Sequence, residues 1–114
     1  MNHSLPNWCT DEIYKKLQDL VNIEYEVRSY TPFLKRLNGG TIIKRFLDNI
    51  KVNEKRDRPR KIYLYSGHEV NIAAIVRALN LTEPELPPFG CAIIFEKLKD
   101  PNGKTFVRVI TFNI

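Results

Sequence analysis

The stretch Lys61-Ile62-Tyr63-Leu64-Tyr65-Ser66-Gly67-His68-Glu69-Val70-Asn71-Ile72-Ala73-Ala74-Ile75-Val76-Arg77-Ala78-Leu79 decides how this chain is read. It opens with a short aromatic and β-branched run, which reads as a buried strand. Ser66-Gly67 is a small-residue turn, and the apolar run behind it is long enough for about three turns of helix. His68 and Glu69 therefore fall where a strand ends and a helix begins. Free backbone N–H groups and the helix dipole favour an anion there, and ligands gather at the carboxyl ends of strands in open α/β sheets. An imidazole and a carboxyl side by side at such a place predict a phosphate or carboxylate site with an acid/base group beside it. The bland alternative is a helix-cap pair with no ligand.

Immediately before this stretch, residues 51–61 are rich in Lys and Arg, with Glu54 and Asp57 interspersed. A nucleic-acid surface would place aromatics or a recognition helix among those cations. None is there, so the segment reads as a solvated loop and no nucleic-acid partner is expected. Further back, Ile42, Ile43, Phe46, Leu47 and Ile50 form one face of an amphipathic helix over about 41–53, with Lys44, Arg45, Asp48 and Lys51 opposite. Asn38-Gly39-Gly40 precedes it. The pair lacks the Lys-Ser/Thr of a phosphate loop and the third glycine of a dinucleotide fingerprint, so a helix-entry turn is expected. Thr10-Asp11-Glu12 is a helix start with Thr10 as N-cap. Ile13, Leu17, Leu20, Val21, Ile23 and Val27 extend that helix over about 11–28, ahead of Thr31-Pro32. Tyr14, Tyr25 and Tyr30 read as packing or rim residues.

After the central helix, residues 81–90 hold three prolines and a glycine and form an irregular connection. Cys91–Leu98 and Lys104–Phe112 are strand-like and flank Asp100-Pro101-Asn102-Gly103, a strong turn signal, so an antiparallel hairpin is expected. In the second strand both alternating sets are largely apolar, which predicts cover on both faces. The central helix is also apolar almost all round, with Arg77 the one charge behind Glu69. Two amphipathic helices, a hairpin and one parallel-type strand are too little material to bury it. The physics predicts part of a larger sheet protein, with residues 1–114 forming one partial domain.

The totals limit the function classes. A hydrophobic content of 43% supports a packed core rather than wholesale disorder. The net charge of +5 permits attraction to phosphorylated or acidic partners without identifying one. No apolar run reaches the roughly 18–20 residues of a membrane span. The first residues lack a basic segment followed by an apolar one, which on its own predicts a cytosolic chain. Cys9 and Cys91 could form one long-range bridge or remain as two thiols. Asn2-His3-Ser4 and Asn80-Leu81-Thr82 fit the N-glycosylation pattern. Two His and two Cys without ligand spacing give no metal constellation.

Four landmarks in order carry a resemblance: Leu5-Pro6-Asn7-Trp8, Arg36-Leu37-Asn38-Gly39-Gly40, Tyr65-Ser66-Gly67-His68-Glu69 and Leu86-Pro87-Pro88-Phe89-Gly90. Together they resemble the second half of a histidine acid phosphatase of the lysosomal, prostatic or venom type. Glu69 stands where that family usually has Asp. The resemblance implies an α/β architecture, the C-terminal part of a phosphoglycerate-mutase-like three-layer fold with helices on a mixed sheet. It implies phosphomonoester hydrolysis through a phosphohistidine, with no metal or organic cofactor. By the same resemblance His68 would be the phosphate ligand and transition-state stabiliser, and Glu69 the proton donor to the leaving alcohol. The nucleophile's Arg-His-Gly motif is absent from these 114 residues, and His3 in Asn2-His3-Ser4 does not replace it. The chain is accordingly expected to be inactive alone, the front of its parent missing. That parent would be secreted or lysosomal, and pairing into a homodimer would fit the family. Two other classes follow from the residues themselves: a non-catalytic module for phosphate or phospholipid head groups that uses His68, and a basic interaction protein that uses residues 51–61.

Overall fold

The computed structural model describes residues 4–81 and 87–112. Helix α1 spans Asp11–Arg28, α2 Pro32–Leu37, α3 Gly39–Glu54 and α4 Glu69–Ala78, followed by strands β1, Ala92–Lys99, and β2, Thr105–Phe112. Three of these helix ends have a clear local cause. Thr10 and Thr31 cap α1 and α2, their hydroxyls accepting from the Ile13 and Leu34 N–H groups at 3.4 and 3.2 Å. Pro32 supplies a pre-set first turn for α2. At the far end of α4, Asn80 adopts φ +54°, and the Leu81 and Asn80 N–H groups close on the Val76 and Arg77 carbonyls at 3.0 and 3.2 Å. That is a Schellman stop with asparagine in the left-handed position.

The hairpin forms as the turn signal predicts. Asp100 accepts from the Gly103 N–H through its carbonyl (3.0 Å) and from the Lys104 N–H through its carboxylate (2.8 Å), while Gly103 takes φ +86°. The strands pair antiparallel with Ala92 opposite Phe112 and Glu96 opposite Arg108. Arg108 Nε donates to Glu96 Oε2 at 2.6 Å across that rung. Phe46 of α3 and Phe95 of β1 pack at 4.8 Å between ring centroids, and Lys97 pairs with Glu54. These contacts fasten the hairpin to α3.

The core is centred on α4, where Ala73, Ala74, Ile75 and Val76 are buried, together with Tyr25 and Ser29 from α1 and the residue after it and Gly39 from α3. Gly39 is there because nothing larger fits: a Cβ would lie 2.1 Å from the Ala74 carbonyl oxygen and 2.9 Å from the Ala78 Cβ. The sequence expectation of a helix-entry turn is met, and the glycine also lets α3 touch the α4 backbone.

One element differs from expectation. Residues 61–65 form no strand, and Leu64 is 91% exposed. A strand exists through its ladder, and the hairpin, the sole sheet among the described residues, packs on α3 instead of beside this run. The segment is held by side chains alone. Asn49 Nδ2 donates to the Tyr65 hydroxyl at 2.6 Å, and Asn53 brackets Arg60 with bonds of 2.8 and 2.6 Å. The architecture is α/β, but the described sheet is one antiparallel pair rather than a mixed sheet. The two-faced cover expected for β2 is also missing, since Phe106, Val107 and Phe112 are exposed. A radius of gyration of 17.7 Å exceeds the about 13 Å of a compact domain of this length. The α1 residues Leu20, Ile23 and Val27 are likewise open to solvent, so the apolar stripe is present but largely uncovered.

Candidate phosphate site at the start of helix α4

His68 is the N-cap of α4, in extended conformation at φ −120° and ψ 166°, and Glu69 is the first helical residue. Both are exposed. The turn is locked by Asn71, which the sequence reading did not single out. Its Oδ1 accepts from the His68 N–H at 2.8 Å, and its own N–H donates to the His68 carbonyl at 2.9 Å. This is the return half of a capping box made by asparagine rather than Glu or Gln. It fixes the backbone at His68. Gly67 makes room for it, since a Cβ there would meet Asn71 Oδ1 at 2.9 Å.

Helix entry thus sets an imidazole, a carboxyl group and the first backbone N–H groups of α4 on one exposed edge. Such an edge can receive an anion and offer it a proton. Behind it stands Tyr25 of α1, 7% exposed. Burial pushes its phenol above the ordinary value of 10.0. The negative charges of Glu69 and Glu24 add to this, while Arg28 opposes. The Arg77 guanidinium lies 5.9 Å from the Tyr25 ring centroid. Tyr25 reads in sequence as one apolar-face residue among several. Only the packing of α1 on α4 sets it apart.

Of the landmarks, Tyr65-Ser66-Gly67-His68-Glu69 supplies this edge. Gly39 packs beneath α4 at Ala74 and Ala78, whereas Trp8 and Phe89 stand exposed. His3, Leu86 and Thr82 lie outside the described residues, and with them part of each glycosylation triplet. Cys9 and Cys91 are both free thiols and partly buried. Among the described residues no cluster of His, Cys, Asp or Glu could hold a metal ion, and no helix is long and apolar enough to cross a membrane.

Comparison with known proteins gives the lineage. The profile of the histidine phosphatase superfamily (branch 2) matches residues 3–111. Over 113 residues the chain is 35% identical to the venom acid phosphatase Acph-1 of Apis mellifera, covering 96% of this chain and 29% of that protein. It is 30% identical over 112 residues to the prostatic acid phosphatase of Rattus norvegicus, covering 95% of this chain and 29% of that one. The lysosomal acid phosphatase of Xenopus laevis is 27% identical over 117 residues, with 95% and 26% covered. The chain therefore spans less than a third of the length of these relatives. With a family profile matched along nearly its whole length and an α/β arrangement of helices on a hairpin, this chain belongs to the histidine phosphatase superfamily.

Proposed function

We propose that residues 1–114 are one partial domain, contributing the phosphate-binding and proton-donating side of an acid phosphatase site. The observation that carries this reading is the pairing of His68 and Glu69 at the open start of α4 in a member of this superfamily. In this reading the His68 imidazole donates to the phosphoryl oxygens as charge develops on them. The Glu69 carboxylic acid passes its proton to the departing alcohol oxygen. The nucleophilic histidine and the arginines gripping the phosphate come from outside these residues, so the chain turns over no phosphomonoester by itself. The substrate class is small phosphomonoesters, the intact protein is secreted or lysosomal as its relatives' names suggest, and it is able to pair as a homodimer.

The test is a 31P and 1H–15N NMR titration of the chain with inorganic phosphate. Shifts confined to residues 68–71, lost in His68→Ala, support the reading. Their absence from those amides overturns it. Hydrolysis of p-nitrophenyl phosphate by the chain, purified free of other phosphatases, would overturn the placement of the nucleophile elsewhere. The lack of an Arg-His-Gly motif in the sequence favours one second reading, a non-catalytic phosphate-binding module. It is distinguished by a parent protein that binds phosphate through His68 yet hydrolyses nothing, with Glu69→Gln affecting only the electrostatics of binding.

A further inference from the structure

We propose that the basic turn following α3 is a docking surface for a linear sulfated polysaccharide. None of its residues belongs to the edge at His68 and Glu69, so the inference stands apart from the phosphatase reading. Elsewhere in the chain, charges are matched at short range: Arg28 pairs with Glu24, Lys44 with Asp48 and Arg108 with Glu96. Over residues 51–61 that pattern breaks. Lys51, Lys55, Arg56, Arg58, Arg60 and Lys61 are all exposed. Among the described residues none of them enters an ion pair. The sequence suggests a balanced, solvated loop because two acids are interspersed, but Glu54 is taken by Lys97 of β1. Asp57 alone then faces six cations, and such a one-sided field draws in a polyanion.

The cations are also held in a fixed shape. Asn53, in the last turn of α3, grips Arg60 from both sides: its Nδ2 donates to the Arg60 carbonyl at 2.8 Å, and its Oδ1 accepts from the Arg60 N–H at 2.6 Å. Residues 54–59 are thereby closed into a turn, with Pro59 restricting the backbone just before the clamp. The Tyr63 hydroxyl donates to the same Asn53 Oδ1 at 3.4 Å, and the Tyr63 ring centroid lies 5.8 Å from the Arg60 guanidinium. A turn ordered in advance loses less freedom when a ligand docks. Arg56, Arg58 and Arg60 carry planar forks that can each donate two parallel N–H bonds to an oxyanion such as a sulfate group. Residues 53–61 contain no aromatic side chain and no apolar one besides Pro59. They offer no platform for base stacking, which disfavours single-stranded nucleic acid. They also offer nothing to sink into a bilayer. Ile62 and Leu64 follow the turn and are exposed, which makes an anionic membrane the competing outcome. A chain of sulfated sugars requires neither stacking nor insertion, only closely spaced cations and donors.

The experiment titrates the full chain with a heparin octasaccharide, read by calorimetry and by 1H–15N NMR. Amide shifts centred on residues 51–61 are expected, with affinity falling as salt rises. The variant Arg56→Ala/Arg58→Ala should bind at least about tenfold more weakly, since two charge-assisted contacts are lost. Lys15→Ala/Lys16→Ala on α1 removes the same charge elsewhere and should leave the affinity within about twofold. Equal losses in the two double variants, or shifts centred outside residues 51–61, overturn the proposal. Vesicles of phosphatidylserine with phosphatidylcholine, and oligo(dT), are titrated at matched anion concentration. Binding of either as tight as that of heparin overturns the polysaccharide assignment. If the arginine variant does not fold, the wild-type shift map and the three-ligand comparison decide. Heparin binding with no phosphate response at residues 68–71 would sink the phosphatase reading alone, and the reverse result would sink only the docking surface.

Discussion

Gly39→Ala is the sharpest test of how α3 and α4 meet. The added Cβ would lie 2.1 Å from the Ala74 carbonyl oxygen, 2.5 Å from its carbon and 2.9 Å from the Ala78 Cβ. The first two are backbone atoms of a buried helix, so no side chain can swing aside. Restoring an ordinary contact of roughly 3.4 Å requires the two helices to part by about 1.3 Å, and well-packed interfaces resist shifts of that kind at a cost of about 1–3 kcal/mol or more. Alanine returns up to about 1 kcal/mol through helix propensity and a less flexible unfolded chain. The net expectation is a loss of about 2 kcal/mol, more than tenfold in the folding equilibrium. Gly40→Ala is the matched control. Its Cβ would meet nothing closer than 3.4 Å, so the propensity gain should survive and leave stability unchanged or raised by under about 1 kcal/mol. Urea denaturation followed by far-ultraviolet circular dichroism measures both. Equal midpoints for the two variants would refute the close approach of α3 to α4.

Other expectations are smaller. The Glu54 carboxylate, held down by its hydrogen bond and charge attraction to Lys97, titrates below its ordinary 4.5. Because its folded value is lowered, this link between α3 and β1 is complete above 4.5 and is lost as the pH falls through the folded value. Carboxyl NMR should show the Glu54 midpoint returning to about 4.5 in Lys97→Met. Gly67→Ala crowds Asn71 Oδ1 and should release the His68 N–H, at a cost of about 0.5–2 kcal/mol. Faster amide hydrogen exchange at His68 is the check. Thr31→Ala removes the cap on the Leu34 N–H and should cost about 1 kcal/mol in urea denaturation.

What could be read from the residues was what residues decide locally. Thr10-Asp11-Glu12 and Thr31-Pro32 bracket α1 because capping hydroxyls and a proline act within a few positions. Asp100-Pro101-Asn102-Gly103 fixes the hairpin for the same reason. His68 and Glu69 are where the small-residue turn put them, at the entry to α4. The strand expected at 61–65 needed a partner from elsewhere, and composition cannot report who the partner is. Tyr25 was legible as a packing residue and no more, because its seat beside Arg77 depends on how α1 packs on α4. Asn71 was overlooked for a plainer reason: at the third position of the helix the usual capping-box signal is Glu or Gln.

The open run Ile62-Tyr63-Leu64-Tyr65 has a consequence for how this polypeptide survives in a crowded solution. An exposed apolar segment outside any sheet can template pairing with another chain carrying the same segment, which favours aggregation. The sequence places Arg56, Arg58, Arg60 and Lys61 directly before it. Like charges brought together by edge-to-edge stacking repel, so these residues act as gatekeepers against self-association. Their protection should weaken as salt screens them.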